Sequence, residues 1–297
     1  MPVPMLPRDR QASDFDPYTV NVDLHCHSVI SDGTLTPAAV VERAYAQGVE
    51  WLALTDHDEV AGLPVAISRA QELGMGFVPG VEISVTWANE TVHILGLGIN
   101  PDDPVLNQGL IRTRGGRDQR AQEMSQALSK AGITNAYEGA LKYAGNPALI
   151  SRAHFARYLV EIGICDSVSE VFGRYLVEGK PGFVPHRWAR LSDALGWIHQ
   201  AGGVAVVAHP ARYRLTALER GAFFDEFVEL GGRGIEVMTS AHSPQEISEY
   251  VLITRHYGLK ASRGSDFHCP DESHTELGSL PPLPDAVEPI WAEWGIG

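Results

Sequence analysis

Short apolar segments of this chain end repeatedly in histidine and carboxylate residues. The first leads into Asp23-Leu24-His25-Cys26-His27, and alternate side chains of an extended strand share a face, so His25 and His27 point the same way. Similar motifs follow at or just after later apolar segments: Ser31-Asp32-Gly33, Thr55-Asp56-His57-Asp58, Gly80-Val81-Glu82, His93, Ala208-His209-Pro210 and Gly264-Ser265-Asp266-Phe267-His268. One histidine pair is a weak signal, but this repetition predicts a fold that gathers its strand ends at one place.

Predicted strands and helices alternate over much of the chain. Thr36-Pro37 is a good helix start, with threonine as the cap and proline in the first turn, and Gly48 and Gly74 end the first two helices. After Pro181 the helix-strand alternation resumes, which predicts parallel strands joined by right-handed crossovers. Functional residues at the C-terminal ends of such strands are typical of a closed or nearly closed barrel of the α/β class.

Residues 100–179 interrupt this alternation, because they show little strand character. Helical stretches are predicted at 116–131, 135–143, 151–162 and 167–174. We interpret 100–179 as an inserted helical subdomain and assign 20–99 and 180–297 to the barrel domain. Residues 1–19 are polar and proline-rich, and we expect them to form a loose N-terminal extension.

Composition limits the partners of this chain. A formal net charge of −14 argues against broad binding to a nucleic-acid backbone, so we expect no stable duplex DNA binding, whereas a small phosphorylated substrate stays allowed. No apolar segment has the length of a membrane span, and the N-terminal region has no signal-peptide core. The three cysteines show no CxxC spacing. We therefore expect a cytoplasmic protein without a membrane partner.

The strand-end motifs suit a hydrolytic metal centre. Such a centre needs neutral imidazoles and carboxylates from different elements, with a coordination position left for water. Glu82 and Asp266 are the natural bridging candidates, because a carboxylate has two oxygens. The absence of cysteine pairs favours Zn, Mn or Fe at such a site over a structural thiolate zinc.

In their order along residues 20–268, these motifs resemble the polymerase-and-histidinol-phosphatase (PHP) phosphoesterases. The resemblance implies a distorted (β/α)7 barrel holding two or three divalent ions, with Mn expected and Zn or Fe as alternatives. It assigns His25, His27, Glu82 and Asp266 to one ion, Glu82, His93 and His209 to a second, and Asp32, His57 and His268 to a third. Some relatives have histidine where this chain has Asp32, which is also a good ligand. Asp266, His209 and Glu82 are the expected catalytic residues.

Further motifs resemble the 3',5'-nucleoside bisphosphate phosphatase branch of the family. They are Ser151-Arg152-Ala153-His154, Lys180-Pro181-Gly182-Phe183 and Ala201-Gly202-Gly203-Val204. The resemblance implies removal of the 3'-phosphate of such bisphosphates, 5'-to-3' trimming of short 5'-phosphorylated RNA in some members, and a helical insertion that covers the barrel mouth. The expected substrate contacts are Ser151, Arg152, His154 and Arg212. Oligomeric state is left open.

Two alternative functions stay open. One is a phosphatase for a non-nucleotide metabolite such as histidinol phosphate, and the other is a metal-binding module that has lost catalysis. The motif around Arg152 argues against the first, and the apparently complete ligand set argues against the second. We interpret the basic run Arg112, Arg114, Arg117 and Arg120 as a solvated face, with contact to a nucleotide's second phosphate as the alternative. We interpret Trp188 and Tyr213 as packing residues, with stacking on a base as the alternative.

Overall fold

The computed structural model describes residues 16–296, and a seven-stranded sheet within that range forms a nearly closed barrel. The strands are β1 (Val22–Asp23), β2 (Trp51–Leu54), β3 (Gly76–Trp87), β4 (Glu90–Leu97), β5 (Val204–Val207), β6 (Gly234–Thr239) and β7 (Lys260–Gly264). They neighbour one another in chain order. The last strand returns to the first, where the backbone N–H of Leu24 donates to the carbonyl of Arg263 at 3.0 Å. This contact brings the two ends of the sheet together.

The barrel is distorted by β4, which runs antiparallel to both of its neighbours, whereas the other neighbouring strands are parallel. Ala88 and Asn89 join β3 to β4 and both have positive φ angles, 46° and 65°. A two-residue loop of this kind closes a tight hairpin. The parallel arrangement predicted from helix-strand alternation does not extend to β4, because no helix separates it from β3.

Helices cover the outside of the barrel and form the segment between β4 and β5. Their bounds are α1 (Pro37–Ala46), α2 (Leu63–Leu73), α3 (Pro104–Arg114), α4 (Arg117–Lys130), α5 (Ala136–Leu141), α6 (Arg152–Glu161), α7 (Val168–Val171), α8 (Leu191–Gln200), α9 (Ala217–Glu229) and α10 (Pro244–Tyr257). The predicted start of α1 is confirmed, since the Thr36 hydroxyl accepts from the Ala39 N–H at 3.2 Å. None of these helices in the described part of the chain is both long and apolar enough to cross a membrane.

The buried apolar residues of the described part of the chain form two hydrophobic cores. The larger fills the barrel and the space under its helices, with Trp51, Phe77 and Phe227 among its fully enclosed side chains. The second core lies within α4 to α7 and includes Met124 and Phe155. Two separately packed cores are consistent with an inserted subdomain, and we keep 100–179 as its proposed extent.

Helix α3 was not predicted from the sequence. It packs against α8, and its Leu106 and Leu110 belong to the barrel core rather than to the core of α4 to α7. The Asp103 carboxylate caps it by accepting from the N–H groups of Val105 and Leu106, both at 2.9 Å. The expected N-terminal extension, residues 1–19, lies outside the described residues except for 16–19.

Candidate functional site

The candidate metal ligands meet at one end of the barrel. His25 and His27 follow β1, Asp32 lies in the loop after them, His57 follows β2, Glu82 lies on β3, His93 lies on β4, His209 follows β5, and Asp266 and His268 follow β7. These residues form several groups, and within each group the potential ligand atoms all lie within 4.8 Å of one another. The strand ends are therefore gathered as the repeated motifs predict.

His25 and His27 form the first group with Asp266. Their Nε2 atoms are 3.1 Å apart, and Asp266 Oδ1 lies 3.4 Å from that of His25 and 3.3 Å from that of His27. Glu82 Oε2 approaches the same two nitrogens, at 3.4 and 3.3 Å. Two imidazoles and two carboxylates thus converge on one small volume.

Glu82 also belongs to a second group. Its Oε1 lies 2.9 Å from His93 Nδ1 and 3.0 Å from His209 Nε2, and those two nitrogens are 3.4 Å apart. The two carboxylate oxygens of Glu82 therefore face two different sets of histidines. This geometry suits a bridging ligand.

Asp32 collects a third group with His27, His57 and His268. Its Oδ1 lies 3.4 Å from His268 Nε2 and 3.8 Å from His57 Nε2. The rings of His27 and His268 stack with centroids 4.1 Å apart. All three groups assigned by family resemblance are thus drawn together, with His27 joining the first group to the third.

The donor set fits divalent ions. Glu82 Oε2 and Asp32 Oδ1 are buried and accept no hydrogen bond from any described residue. His57 Nδ1 is 2.9 Å from Glu82 Oε2, yet neither atom is satisfied by the other. A buried polar atom left without a partner is costly, and a cation bound between these side chains would supply the missing partner.

The charges of the site support the same conclusion. Burial alone would raise the pKa of Glu82, but His57, His93 and His25 hold it well below its usual range. Burial would likewise raise the pKa of Asp266, and Arg212 and His25 hold it well below that range. The carboxylates are therefore ionised, as metal ligands must be.

The pKa values of two of the histidines shift in opposite directions. Burial opposes a charge on His27, but the adjacent carboxylates of Asp266 and Glu82 raise its pKa to about 10. Burial, together with the charge of Arg212, lowers the pKa of His209 to about 4. A proton on His27 thus partly balances the buried carboxylates, and ions that bind there must displace it.

A cleft of about 970 Å³ lies between this end of the barrel and the segment that carries α4 to α7. Its walls include Asp32, His57, His93, His209, Asp266 and His268 on the barrel side, and Arg117, Arg120, Ser151, Arg152, Phe172 and Trp188 on the other. Candidate metal ligands and arginines therefore line one shared space.

Comparison with known proteins agrees with this arrangement. A family model described as the PHP domain matches residues 23–201. This chain belongs to the PHP family. A 3',5'-nucleoside bisphosphate phosphatase from Chromobacterium violaceum is 48% identical over 275 residues, covering 92% of this chain and 96% of the relative. The 5'-3' exoribonuclease Rnm of Escherichia coli is 43% identical over 282 residues, covering 93% of this chain and 94% of the relative.

A solved structure has the same fold. The solved structure of an amidohydrolase from Chromobacterium violaceum, with bound sulfate and no metal, superposes with a TM-score of 0.90 at 46% identity. The match covers 93% of this chain and 96% of that one. Both the barrel and the intervening helices of this PHP chain are therefore shared with that protein.

The four expected substrate contacts do not all face the cleft of the PHP barrel. Arg152 and Arg212 line it, and Arg212 Nη1 lies 2.6 Å from Asp266 Oδ2. Ser151 caps α6 and donates from Oγ to Asp32 Oδ2 at 3.3 Å. His154 is buried, and its Nδ1 accepts from the Ser151 N–H at 3.0 Å. The geometry gives His154 a place in the helix cap rather than in the cleft wall.

The interpretation of Arg117 and Arg120 as a solvated face is wrong. Arg117 is 5% exposed and forms an ion pair with Asp58, and both arginines line the cleft. Their guanidinium carbons lie 4.6 and 5.3 Å from the ring centroid of Trp188. Trp188 is thus half-buried and part of the cleft wall. Arg117 shares a helical face with the buried Met124 and Leu128, and this spacing could have indicated that Arg117 is buried.

Asp56 and Asp58 follow β2 but ligate nothing in this geometry. The Asp56 carboxylate accepts from the Ser28 N–H at 2.8 Å and from the Ser31 hydroxyl at 2.7 Å, which anchors the loop that carries Asp32. Asp58 accepts from the Ser84 N–H at 2.8 Å and faces Arg117. Both carboxylates thus hold the surroundings of the site in place.

Glu236 was missed by sequence reasoning. It lies on β6, is fully buried, and hydrogen-bonds to His25 and to the backbone of His209. The available signal was a carboxylate flanked by Ile235 and Val237 in an apolar strand. A buried charge in such a strand needs partners, so it indicates a site.

Proposed function

We propose that this chain is a metal-dependent phosphoesterase that removes the 3'-phosphate of nucleoside 3',5'-bisphosphates. One observation carries the proposal: a single cleft is lined at one side by converging metal ligands and at the other by buried arginines. A substrate with two phosphates can place one phosphate at each side of this cleft. The Chromobacterium violaceum relative, a 3',5'-nucleoside bisphosphate phosphatase that is 48% identical, supports the same substrate class.

The arginine side of the cleft is built for an anion. Among the described residues neither Arg120 nor Arg152 forms an ion pair with a carboxylate. Burial, with the nearby charges of Arg152 and Arg117, lowers the pKa of Arg120 to about 9. Burial, with the charge of Arg117, also lowers the pKa of Arg152. A phosphate placed between these cations relieves both effects, so we assign them to the phosphate that is not cleaved.

The metal side supplies the chemistry. Two or three divalent ions, Mn by expectation, would be held by His25, His27, Asp32, His57, Glu82, His93, His209, Asp266 and His268. Bound ions would activate water and neutralise the phosphoryl oxygens. Arg212, beside Asp266, is placed to orient the phosphate that is cleaved. Asp266, His209 and Glu82 are the proposed catalytic residues, and Ser151, Arg152 and His154 the proposed substrate contacts, with His154 acting by fixing the start of α6.

Short 5'-phosphorylated RNA is the second proposed substrate. The Escherichia coli relative is a 5'-3' exoribonuclease at 43% identity. The cleft volume of about 970 Å³ is at the upper end of the roughly 300–1,000 Å³ of small-molecule sites. This volume suits the 5'-terminal end of an RNA, and the rest of the chain would extend outside the cleft. A cytoplasmic location is part of the proposal, and three free cysteines in the described residues are consistent with it.

The deciding experiment measures phosphate release by Mn-loaded protein from four substrates. These are a nucleoside 3',5'-bisphosphate, a 3'-monophosphate, a 5'-monophosphate and histidinol phosphate. We expect the bisphosphate to give the highest kcat/KM. A preference for histidinol phosphate, or no release from any nucleotide, would overturn the proposal. Asp266→Asn is the control, and it should abolish release from every substrate.

A further inference from the structure

Glu236 uses both oxygens of its buried carboxylate on residues that belong to two different ligand groups. Oε1 lies 3.0 Å from Nδ1 of His25, which faces Asp266 and His27. Oε2 accepts the backbone N–H of His209, which faces Glu82 and His93, at 2.6 Å. One side chain thus holds a histidine of each group.

The contact with His25 decides which ring nitrogen can bind an ion. A neutral imidazole has one N–H and one lone pair, so a proton on Nδ1 leaves the lone pair on Nε2. Nε2 is the atom directed at Glu82 and Asp266, at 3.4 Å from each. A carboxylate that accepts from Nδ1–H therefore presents His25 in the tautomer that a ligand needs.

The contact with His209 holds an unusual backbone. His209 has φ 25° and ψ 59°, a left-handed conformation that residues other than glycine rarely adopt. Such conformations persist only when the surroundings impose them. The N–H bond to Glu236 is one such constraint, and it sets the direction from which His209 Nε2 reaches Glu82 Oε1, 3.0 Å away.

Gly264 preserves the room that this arrangement needs. A Cβ atom at Gly264 would lie 2.8 Å from Glu236 Oε1 and 2.3 Å from the Cβ of His25. Any side chain there would push the carboxylate and the imidazole apart. The lack of a side chain at Gly264 on β7 thus allows Glu236 on β6 to reach His25.

We propose that Glu236 is a positioning residue that fixes His25 and His209 together for metal binding. Both of its partners are N–H donors, so two acceptor oxygens are required. Glutamine has only one acceptor oxygen, and its NH₂ group would face a second donor. The proposal goes beyond the proposed function, because it concerns metal affinity and not the identity of the phosphoester.

The test uses Zn²⁺ alone as a diamagnetic probe. Metal-free wild-type protein and the variant Glu236→Gln are titrated with Zn²⁺ against a competing chelator. We expect the variant to bind at least one ion roughly 10- to 100-fold more weakly. Asp103→Asn is the matched control, since Asp103 is also a buried carboxylate that accepts two backbone N–H bonds, and it caps α3. Its Zn²⁺ affinity should equal that of wild type.

A second measurement is made on the wild-type protein and does not depend on how Glu236→Gln folds. Long-range ¹H–¹⁵N correlation of Zn²⁺-loaded wild-type protein reports the tautomer of each histidine, and loss of one signal in His25→Gln identifies His25. We expect a proton on Nδ1 and the metal on Nε2. The proposal is overturned by a proton on Nε2 of His25, or by unchanged Zn²⁺ affinity in Glu236→Gln. Neither readout uses a phosphoester, so a wrong substrate assignment would leave both unaffected.

Discussion

Arg120 is held in the cleft wall by contacts that leave its charge uncompensated. Its Nε–H donates to the Val184 carbonyl at 3.1 Å, and its guanidinium lies over Trp188. Charge repulsion from Arg117 and Arg152 acts on it from the same space. A residue arranged in this way gains stability when an anion arrives.

Replacing Arg120 by alanine should therefore weaken recognition of the second phosphate. A charge-assisted hydrogen bond contributes about 1.5–3 kcal/mol, so kcat/KM for the 3',5'-bisphosphate should fall roughly 10- to 100-fold. The value for a nucleoside 3'-monophosphate should change little. Arg112→Ala, at an exposed position on α3, is the control. Equal losses on both substrates would contradict the assignment of Arg120.

His154 should make the fold sensitive to acid. Burial, together with Arg157 and Arg117, lowers its pKa to about 4 from an ordinary value of 6.5, against the opposing charge of Asp32. The unfolded chain therefore binds a proton at His154 between pH 6.5 and 4, whereas the folded chain does not. The free energy of unfolding should fall by about 3 kcal/mol across this window as the pH is lowered.

His154→Gln tests this contribution, because glutamine three residues after a serine cap can still accept the Ser151 N–H. Denaturant unfolding at pH 7 and pH 4.5 should show a smaller loss of stability in the variant than in wild type. The same pH dependence in both proteins would show that His154 does not carry it.

At the residue scale, some site residues were predicted from the sequence and others were not. Alternation along β1 placed His25 and His27 on one face, and the structure brings their Nε2 atoms within 3.1 Å. Glu236 was not foreseen, because its partners are His25 and His209, which are distant from it in the chain. Local patterns identify a residue's face, whereas contacts between distant residues depend on the closed barrel.

At the scale of elements, α6 joins the second hydrophobic core to Asp32, one of the candidate metal ligands. The guanidinium of Arg157 pairs with Glu272 through Nε and Nη2, both at 2.9 Å. Its Nη1 donates to the backbone carbonyl of Asp32 at 2.7 Å. The same helix begins at Ser151, whose hydroxyl donates to the Asp32 carboxylate. The position of Arg152 at the start of α6 therefore depends on the loop that holds Asp32.

Loosening this attachment should affect substrate binding more than the fold. Arg157→Met keeps an unbranched apolar stem and removes the hydrogen bonds of the guanidinium, so we expect KM for the bisphosphate to rise several-fold. Glu272→Gln removes only the ion pair and should have a smaller effect. A double-mutant cycle on stability should give a coupling of about 0.5–2 kcal/mol between the two residues. No coupling would mean that the pair does not fasten α6.

Elements were predicted where their signals are local. The cap at Thr36 and the helix ends at Gly48 and Gly74 lie where the sequence placed them. The hairpin direction of β4 was not predicted, because Ala88 is an unusual residue for a positive φ angle. A turn of this kind is normally signalled by glycine or asparagine at both positions, and here only Asn89 fits.

At the scale of the whole molecule, the barrel collects buried charge that its own core cannot stabilise. Glu82, Asp32 and Asp266 lie together at one end of a chain with a net charge of −14. Divalent ions that bind only the folded state must raise its stability. Divalent ions held by these carboxylates would therefore add to the stability that the seven strands gain from the core that they surround.

Adding Mn²⁺ to metal-free protein should raise the Tm. At a concentration 100-fold above Kd, one site contributes about 2.7 kcal/mol, which corresponds to a shift of several degrees. Asp266→Asn should show a smaller shift, and its fold should persist, because Asp266 has a φ of 54° that asparagine also tolerates. Asp285→Asn, at an exposed position, should keep the full shift. An equal Mn²⁺ response in Asp266→Asn and wild type would remove Asp266 from the metal centre, and with it the basis for placing the cleaved phosphate beside Arg212.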